Sequence, residues 1–307
     1  MAMKKRIVTG ILAALELSAV LLTATGCTPE TGPGICYRIT GGKSEMVILG
    51  SIHVGNRDMT AFGPHILTAI EGADTFVFEC DTTAPEARQT VMQYQLSDEP
   101  LSGQLSPEAY ARLQEASEII GIPMETLERF HPWAVSSLLT SAQAAKELGA
   151  GSTSKAQAMG VEETVHSHVK GREVRYLETP EMQLSVLCGF SPELLDAMVL
   201  SGCELVLNPS ETDVSLWPEW WQQGETEKFI AAFDAENDFH SPELTAEYKQ
   251  GLLTRRNQHM AESLCAMLEE EGGSFFVTVG LYHLVLPDDS VLRLLEEKGY
   301  SVERLLP

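Results

Sequence analysis

Residues 272–287 read GGSFFVTVGLYHLVLP, and the passage of this stretch from strand to histidine decides the fold. Phe275, Phe276, Val277 and Val279 are an apolar, β-prone run behind a Gly-Gly pair, which predicts a short buried strand. The strand runs into Gly280, and His283 follows three residues later. Glycine lets the backbone turn sharply or adopt positive φ, so the imidazole is expected to face a cleft at the strand's end. The same arrangement stands near the start of the chain, where Met46, Val47, Ile48 and Leu49 lead into Gly50, Ser51, Ile52 and His53. Each of these strand-GxxH units is followed by helical sequence and another strand, so the two ends of the chain are expected to build one site. One GxxH alone carries little in a chain with 8 histidines and 24 glycines; its recurrence in the same local context is the signal. The competing reading is two histidines that cap strand ends by bonding to backbone carbonyls.

At the N-terminus Lys4, Lys5 and Arg6 precede an apolar stretch from Ile7 to Ala24, interrupted by Glu16 and followed by Gly26-Cys27. This reads as a bacterial lipoprotein-type signal peptide over residues 1–26, cleaved before Cys27, whose thiol is acylated. Residues 27–36 then form a tether and 37–307 one α/β domain, held on the extracytoplasmic side of the cell membrane. The rival is an uncleaved N-terminal anchor, which also leaves the bulk of the chain outside the cytoplasm. No later run is long and apolar enough to cross a bilayer.

Among the 307 residues, 44 are acidic and 21 are Lys or Arg, a formal net charge of −23. That balance argues against nucleic acid, whose backbone demands clustered positive charge. It also discourages close contact with anionic lipid except through Cys27. Setting Cys27 aside leaves Cys36, Cys80, Cys188, Cys203 and Cys265, an odd set with no CxxC pair and no complete disulfide framework. Cys188 with Cys203 is one candidate bridge; free buried thiols are the alternative.

The intervening sequence reads in order. Cys36–Ile39 and Glu45–Leu49 flank Gly41-Gly42-Lys43 as a β-hairpin. Pro64–Glu71 reads as a short helix stopped by Gly72, and Thr75–Glu79 as a strand apolar enough for a sheet covered on both faces. Ser106-Pro107-Glu108 opens a capped helix, and Pro132–Leu148 is another. In Met159–Lys170, Glu162 and His166 lie four apart and are expected to form a surface pair rather than a metal site. Arg172–Leu177 reads as a strand ending at Glu178, and Glu181–Ser201 as a helix broken at Phe190-Ser191-Pro192. Trp217, Trp220 and Trp221 are expected to cover a core, with a substrate pocket as the alternative. Glu243–Glu271 reads as one long helix whose apolar stripe carries Arg256, flanked by Leu252 and Met260, with Asn257 at its margin. A guanidinium on a core-facing stripe requires an oxygen partner, expected to be Glu79, Glu178 or Asp81. Val291–Lys298 and Tyr300–Arg304 complete the chain as helix and strand.

Glu79, Asp81 and Glu178 stand where apolar strands end, the usual place for a ligand crevice in an α/β sheet. His53, His283 and Glu79 would converge there as a two-imidazole, one-carboxylate set suited to a divalent transition ion. Without metal, the same groups would serve as base and orienting acid, with Arg256 stabilising an oxyanion. Both mechanisms are hydrolytic attacks on an acyl carbon. There is no glycine-rich phosphate cradle, HExxH or GxSxG, so phosphoryl transfer, zincin and ordinary α/β-hydrolase chemistry are disfavoured.

Gly50-Ser51-Ile52-His53, the strand ending at Glu79, Leu177-Glu178-Thr179, Arg256-Asn257 and Val279 to Leu284 together resemble the TraB/PrgY/GumN family, which includes the Tiki membrane proteases. The resemblance runs from about Tyr37 to Leu305. It implies an α/β fold of the Tiki, ChaN and erythromycin-esterase type: a central mixed sheet flanked by helices, with a large helical insertion between the GxxH units. It implies a metallopeptidase activity on a peptide or protein substrate, supported by manganese or cobalt, with His53, His283 and Glu79 at the metal. Glu79, Glu178, Arg256 and Asn257 are the accompanying catalytic candidates. The alternatives are a peptide-binding or signal-sequestering protein without catalysis, and a metal-free His/Glu esterase. The chain departs from the family pattern after His283, where Leu286-Pro287-Asp288-Asp289 replaces the usual glycines.

Overall fold

Strands β1 (Cys36–Thr40), β2 (Glu45–Ser51), β3 (Thr75–Phe78), β4 (Glu173–Tyr176), β5 (Ser274–Gly280) and β6 (Ser301–Arg304) form one mixed sheet in the order β4-β3-β5-β2-β1-β6. The computed structural model describes residues 32–81, 84–209 and 213–307. The predicted leader, Cys27 and the first part of the tether lie outside the described residues.

The hairpin forms as expected: β1 pairs antiparallel with β2, and Gly41 at the turn takes φ +106°, a conformation that L side chains rarely adopt. β5 lies between β2 and β3, parallel to both, with Ser51 opposite Gly280 and Phe78 opposite Thr278. The register brings the two GxxH units side by side on neighbouring strands, although most of the chain separates them. β4 runs parallel to β3 at the sheet's edge, with Phe78 opposite Tyr176.

The central strands are buried on both faces. Phe76, Phe78 and Phe276 project to one side and pack with Ile66 and Ile70 of helix Pro64–Gly72 and with Trp221. Val77, Val277 and Val279 project to the other and meet Met260 and Leu264 of helix Arg255–Leu268 and Leu295 of helix Val291–Glu297. This alternation follows from the period of two along a strand. Burying an apolar side chain of this size contributes about 1.5–3 kcal/mol, so the two layers fix which face each strand presents.

The segment between β3 and β4 and the segment between β4 and β5 are almost wholly helical. Ser106 caps helix Pro107–Ile120 by accepting from Ala109 N–H at 3.1 Å, as the Ser-Pro-Glu start predicts. That helix joins Pro132–Glu147 and Pro192–Leu207 around Leu113, Leu139 and Val199 in a separate core. Among the described residues no single helix is long and apolar enough to cross a membrane. Cys36, Cys80, Cys188, Cys203 and Cys265 are all free thiols, so the Cys188–Cys203 bridge is not formed; Cys188 Sγ instead accepts from Trp133 Nε1–H at 3.1 Å.

One expected element is divided. Instead of a continuous helix over 243–271, helix Pro242–Lys249 passes through a π turn, Gln250–Thr254, into Arg255–Leu268. Gly251 sits within that turn where an added Cβ would lie 2.5 Å from Phe190 Cε1, so close packing onto Phe190 requires the missing side chain. π turns inside α-helices are frequent at functional sites, and this one immediately precedes Arg256 and Asn257.

Candidate functional site

At their C-terminal ends the four parallel strands present Glu178 after β4, Glu79 after β3, His283 after β5 and His53 after β2, in the spatial order of the sheet. Glu178 N–H donates to Glu79 O at 2.7 Å, continuing the β3–β4 pairing one step past the strands and setting the two carboxylates side by side.

Arg256 clamps both acids. Its Nε donates to Glu178 at 3.0 and 3.1 Å, and its Nη2 donates to Glu79 Oε2 and Glu178 Oε2, each at 2.7 Å. Nη1 donates to Leu252 O at 3.2 Å, across the π turn. Four of the five guanidinium N–H bonds are thus engaged. Arg256 was expected as an oxyanion donor; with so little donor capacity left, its observed work is positioning Glu79 and Glu178. Asp81 does not join the clamp and instead accepts from Ala84 N–H at 3.1 Å. Gln183, which the sequence reading missed, donates to Glu178 at 2.9 Å and to Glu79 at 3.1 Å.

Glu79 Oε1 also accepts from Gly280 N–H at 2.5 Å. Gly280 has φ −52°, so its glycine is not there for positive φ. An added Cβ would lie 3.0 Å from Glu79 Oε1, so the position is set by close approach of the carboxylate. Burial opposes ionisation of Glu79, but His283 where it is protonated in acid, the charges of Arg256 and His53 and the Gly280 N–H together hold its carboxyl well below the usual range.

His283 lies in the short helix Leu281–Val285 that Gly280 opens, and it is buried. Asn257 Nδ2 donates to Asp289 O at 2.9 Å, which turns Asn257 Oδ1 toward His283 Nδ1 at 2.5 Å. An amide oxygen only accepts, so Nδ1 carries the proton and Nε2 keeps its lone pair, 3.9 Å from Glu79 Oε1. Burial pushes the His283 pKa down to about 4, so the ring is neutral near pH 7.

His53 is held differently. Val161 N–H donates to Ile52 O at 3.1 Å and docks helix Val161–His166 against the first GxxH unit. An added Cβ at Gly160 would be 2.6 Å from His53 O, so this approach also depends on glycine. The docking places Glu162 Oε2 3.1 Å from His53 Nδ1. The hydrogen bond and charge of Glu162 raise the His53 pKa; solvent reaches 70% of the side chain and screens that pull without reversing it. The expected Glu162–His166 pair is not formed, because His166 stacks on Phe78 with ring centroids 3.7 Å apart. Neither site histidine bonds a backbone carbonyl among the described contacts, whereas His65 and His259 do, to Pro33 and Leu177.

The donors suit a borderline divalent ion in kind: two imidazoles, each with Nδ1 held by an acceptor so that Nε2 is directed elsewhere, beside a carboxylate. Among the described residues, no group of three His, Cys, Asp or Glu side chains is arranged to hold an ion. Glu79 has its oxygens engaged by Gly280, Arg256 and Gln183, and His53 stands outward against Glu162.

His53, Glu79, Arg256 and His283 line one cleft of about 430 Å³. His53 and Glu79 also border a second cavity of about 600 Å³, with Arg88, Gln157 and Gln183 as well as Val91 and Met92 in its wall. Trp220 and Trp221 are buried cover, Trp221 Nε1 donating to Gly50 O at 2.8 Å, while Trp217 belongs to the first cleft. The tryptophans thus cover a core as expected, and Trp217 packs against it while also lining the cleft.

The chain is 28% identical over 116 residues to the Uncharacterized protein YbaP of Shigella flexneri, a match spanning 38% of this chain and 42% of that protein's length. No solved structure matches the chain. The family model described as TraB/PrgY/gumN family matches residues 35–304, a span that begins beside β1, ends in β6 and contains both GxxH units and the Arg256 clamp. By that match, the chain belongs to the TraB/PrgY/gumN family.

Proposed function

We propose that the protein is a hydrolase that cleaves peptide bonds with activated water in the cleft between the two GxxH units. The observation that carries this reading is the His283–Asn257 contact: it fixes the tautomer of a buried neutral imidazole so that a bare Nε2 lies beside an ionised carboxylate. A pKa near 4 leaves His283 a poor proton acceptor at neutral pH, so its lone pair is better suited to a metal than to removing a proton from water. His283 and His53, with Glu79, are the residues that would hold a divalent transition ion such as manganese or cobalt. When bound, the ion would supply Lewis-acid polarisation of the carbonyl and a lower pKa for water. Asn257 orients His283, Glu162 orients His53, Arg256 and the Gly280 N–H keep Glu79 ionised, and Gln183 with Arg256 holds it in place beside Glu178. The finer architectural likeness to Tiki, ChaN and erythromycin esterase belongs to this proposal, as does tethering outside the cytoplasm through acylated Cys27.

The His53–Glu162 pair supports a second reading. A histidine whose pKa is raised retains its proton near neutrality, which suits an acid that protonates a leaving group in a metal-free mechanism.

Metal content and peptide hydrolysis, measured on the same samples of the full chain, separate these readings. Turnover lost on chelation, restored by one added ion, and lost with metal content in His53→Ala and His283→Ala supports the metal-dependent reading. Turnover that persists without metal but requires both histidines selects the acid–base mechanism. Peptide binding without turnover under every loading condition would leave a binding protein.

A further inference from the structure

Away from the histidines, the 430 Å³ cleft becomes aromatic, walled by Trp217, Phe229, Phe233, Tyr248 and Tyr282. The wall is held from behind: Trp220 meets Phe229 edge-on at 5.6 Å, and Phe233 packs on Tyr282 at 4.7 Å. Aromatic rings fixed in this way provide a preformed apolar surface at little cost in side-chain freedom. Two polar atoms in the wall, Trp217 Nε1 and Tyr282 Oη, are buried without a hydrogen-bond partner. Neither atom reaches the cleft surface, so the face these residues turn to the cleft is apolar ring. Glu236 acts electrostatically on Tyr248 and Tyr282, which sets this end of the cleft against an acidic group. The second cavity shares His53 and Glu79 with this cleft and carries Arg88, Glu162 and Glu163 beside Val91 and Met92, in place of aromatic rings. A peptide spanning His53 and Glu79 therefore meets an aromatic pocket in one cavity and a charged, non-aromatic lining in the other.

We propose that the aromatic cavity is a specificity subsite for a large apolar, preferentially aromatic, side chain of an extended peptide. The assignment takes the peptide class from the hydrolytic reading above, but its test is binding, which does not require turnover.

The probes are acetyl-Ala-Ala-Phe-Ala-Ala-amide and the same peptide with Ala or Asp at the centre. Each is titrated calorimetrically into the full chain in detergent, with chelator present. The Phe peptide is expected to bind about tenfold or more tightly than the Ala peptide, given the apolar area its ring would bury, and the Asp peptide weakest. Ala144 lines the same cleft beside Trp217, and Ala144→Leu should narrow it there and remove the Phe preference. Equal affinities for the three peptides overturn the proposal, as does a Phe preference that survives Ala144→Leu with unaltered thermal unfolding. If Ala144→Leu does not fold, the wild-type comparison decides alone. Selective binding without hydrolysis in any metal-loaded sample upholds the subsite and removes the hydrolytic reading; hydrolysis with no discrimination in affinity removes only the subsite.

Discussion

Asn257 Oδ1 lies 2.5 Å from His283 Nδ1, and this contact determines which imidazole nitrogen faces the cleft. Asn257→Leu removes the acceptor while keeping an apolar body of similar size, so the ring loses both tautomer and orientation. Losing such a support typically costs about 10–100-fold in metal affinity or activity. Asn257→Asp keeps the acceptor and should retain more function, while its charge raises the His283 pKa. Imidazole NMR titration together with the peptide assay checks both variants; an Asn257→Leu protein with wild-type turnover and an unaltered His283 tautomer would remove Asn257 from the site.

Arg256 is the only cation shown bonding the buried acids Glu79 and Glu178 among the described residues. Arg256→Leu leaves two carboxylates without their clamp, and breaking a buried ion pair from one side costs about 3–5 kcal/mol. Adding Glu178→Leu removes one stranded charge and should recover part of that loss. Urea unfolding of the single and double variants measures the coupling. A loss below about 1 kcal/mol in Arg256→Leu, a value typical of exposed pairs, would show that the clamp contributes little to folding.

Much of this arrangement was legible because burial is costly for charge. Arg256 fell on an apolar helical stripe, so an acidic partner had to be nearby, and Glu79 and Glu178 were two of the three acids expected. The neighbouring GxxH strands were readable from their matching apolar runs, and β2 and β5 do pair in parallel. Local spacing failed where tertiary docking intervened. Four-residue spacing joined Glu162 to His166, but the Val161–Ile52 hydrogen bond delivers Glu162 to His53, and Phe78 takes His166. Gln183 was hidden because an amide in a helix's second turn has no distinguishing local pattern. The π turn was hidden because the packing around it, Phe190 against Gly251, is a contact distant in sequence.

Stability of the metal-free protein should fall with acid through His283. Its folded pKa is lowered to about 4, against about 6.5 for an ordinary imidazole, so the unfolded chain takes up a proton that the folded one refuses. The His283 contribution is therefore complete above about pH 6.5 and declines as pH falls toward 4, by up to about 3 kcal/mol. His283→Gln cannot titrate, so the difference in urea midpoint between wild type and variant should narrow across that window. A constant difference between pH 7 and pH 4.5 contradicts the burial of a neutral ring.

His53 has the opposite sign. Glu162 raises its pKa toward about 9, so the pair's stabilisation is present below about pH 6.5 and fades as pH rises through the folded value. Solvent reaches most of the ring, so the shift is expected to be larger at low salt than at high salt. In Glu162→Gln the amide oxygen can still accept from Nδ1, but the charge is gone, and the titration of His53 should move down toward that of an ordinary imidazole. His166→Ala and His168→Ala should leave it in place, since neither ring is bonded to Glu162 in the described contacts. If His53 is a ligand, protons compete with the ion at this nitrogen, so metal affinity should rise with pH between about 7 and 9 and rise less steeply in Glu162→Gln. The check is NMR titration of His53 in chelated protein, beside metal affinity measured at several pH values. A His53 titration unmoved by Glu162→Gln would break the link between helix Val161–His166 and the site; a shifted titration with pH-independent metal affinity would remove His53 from the ligand set.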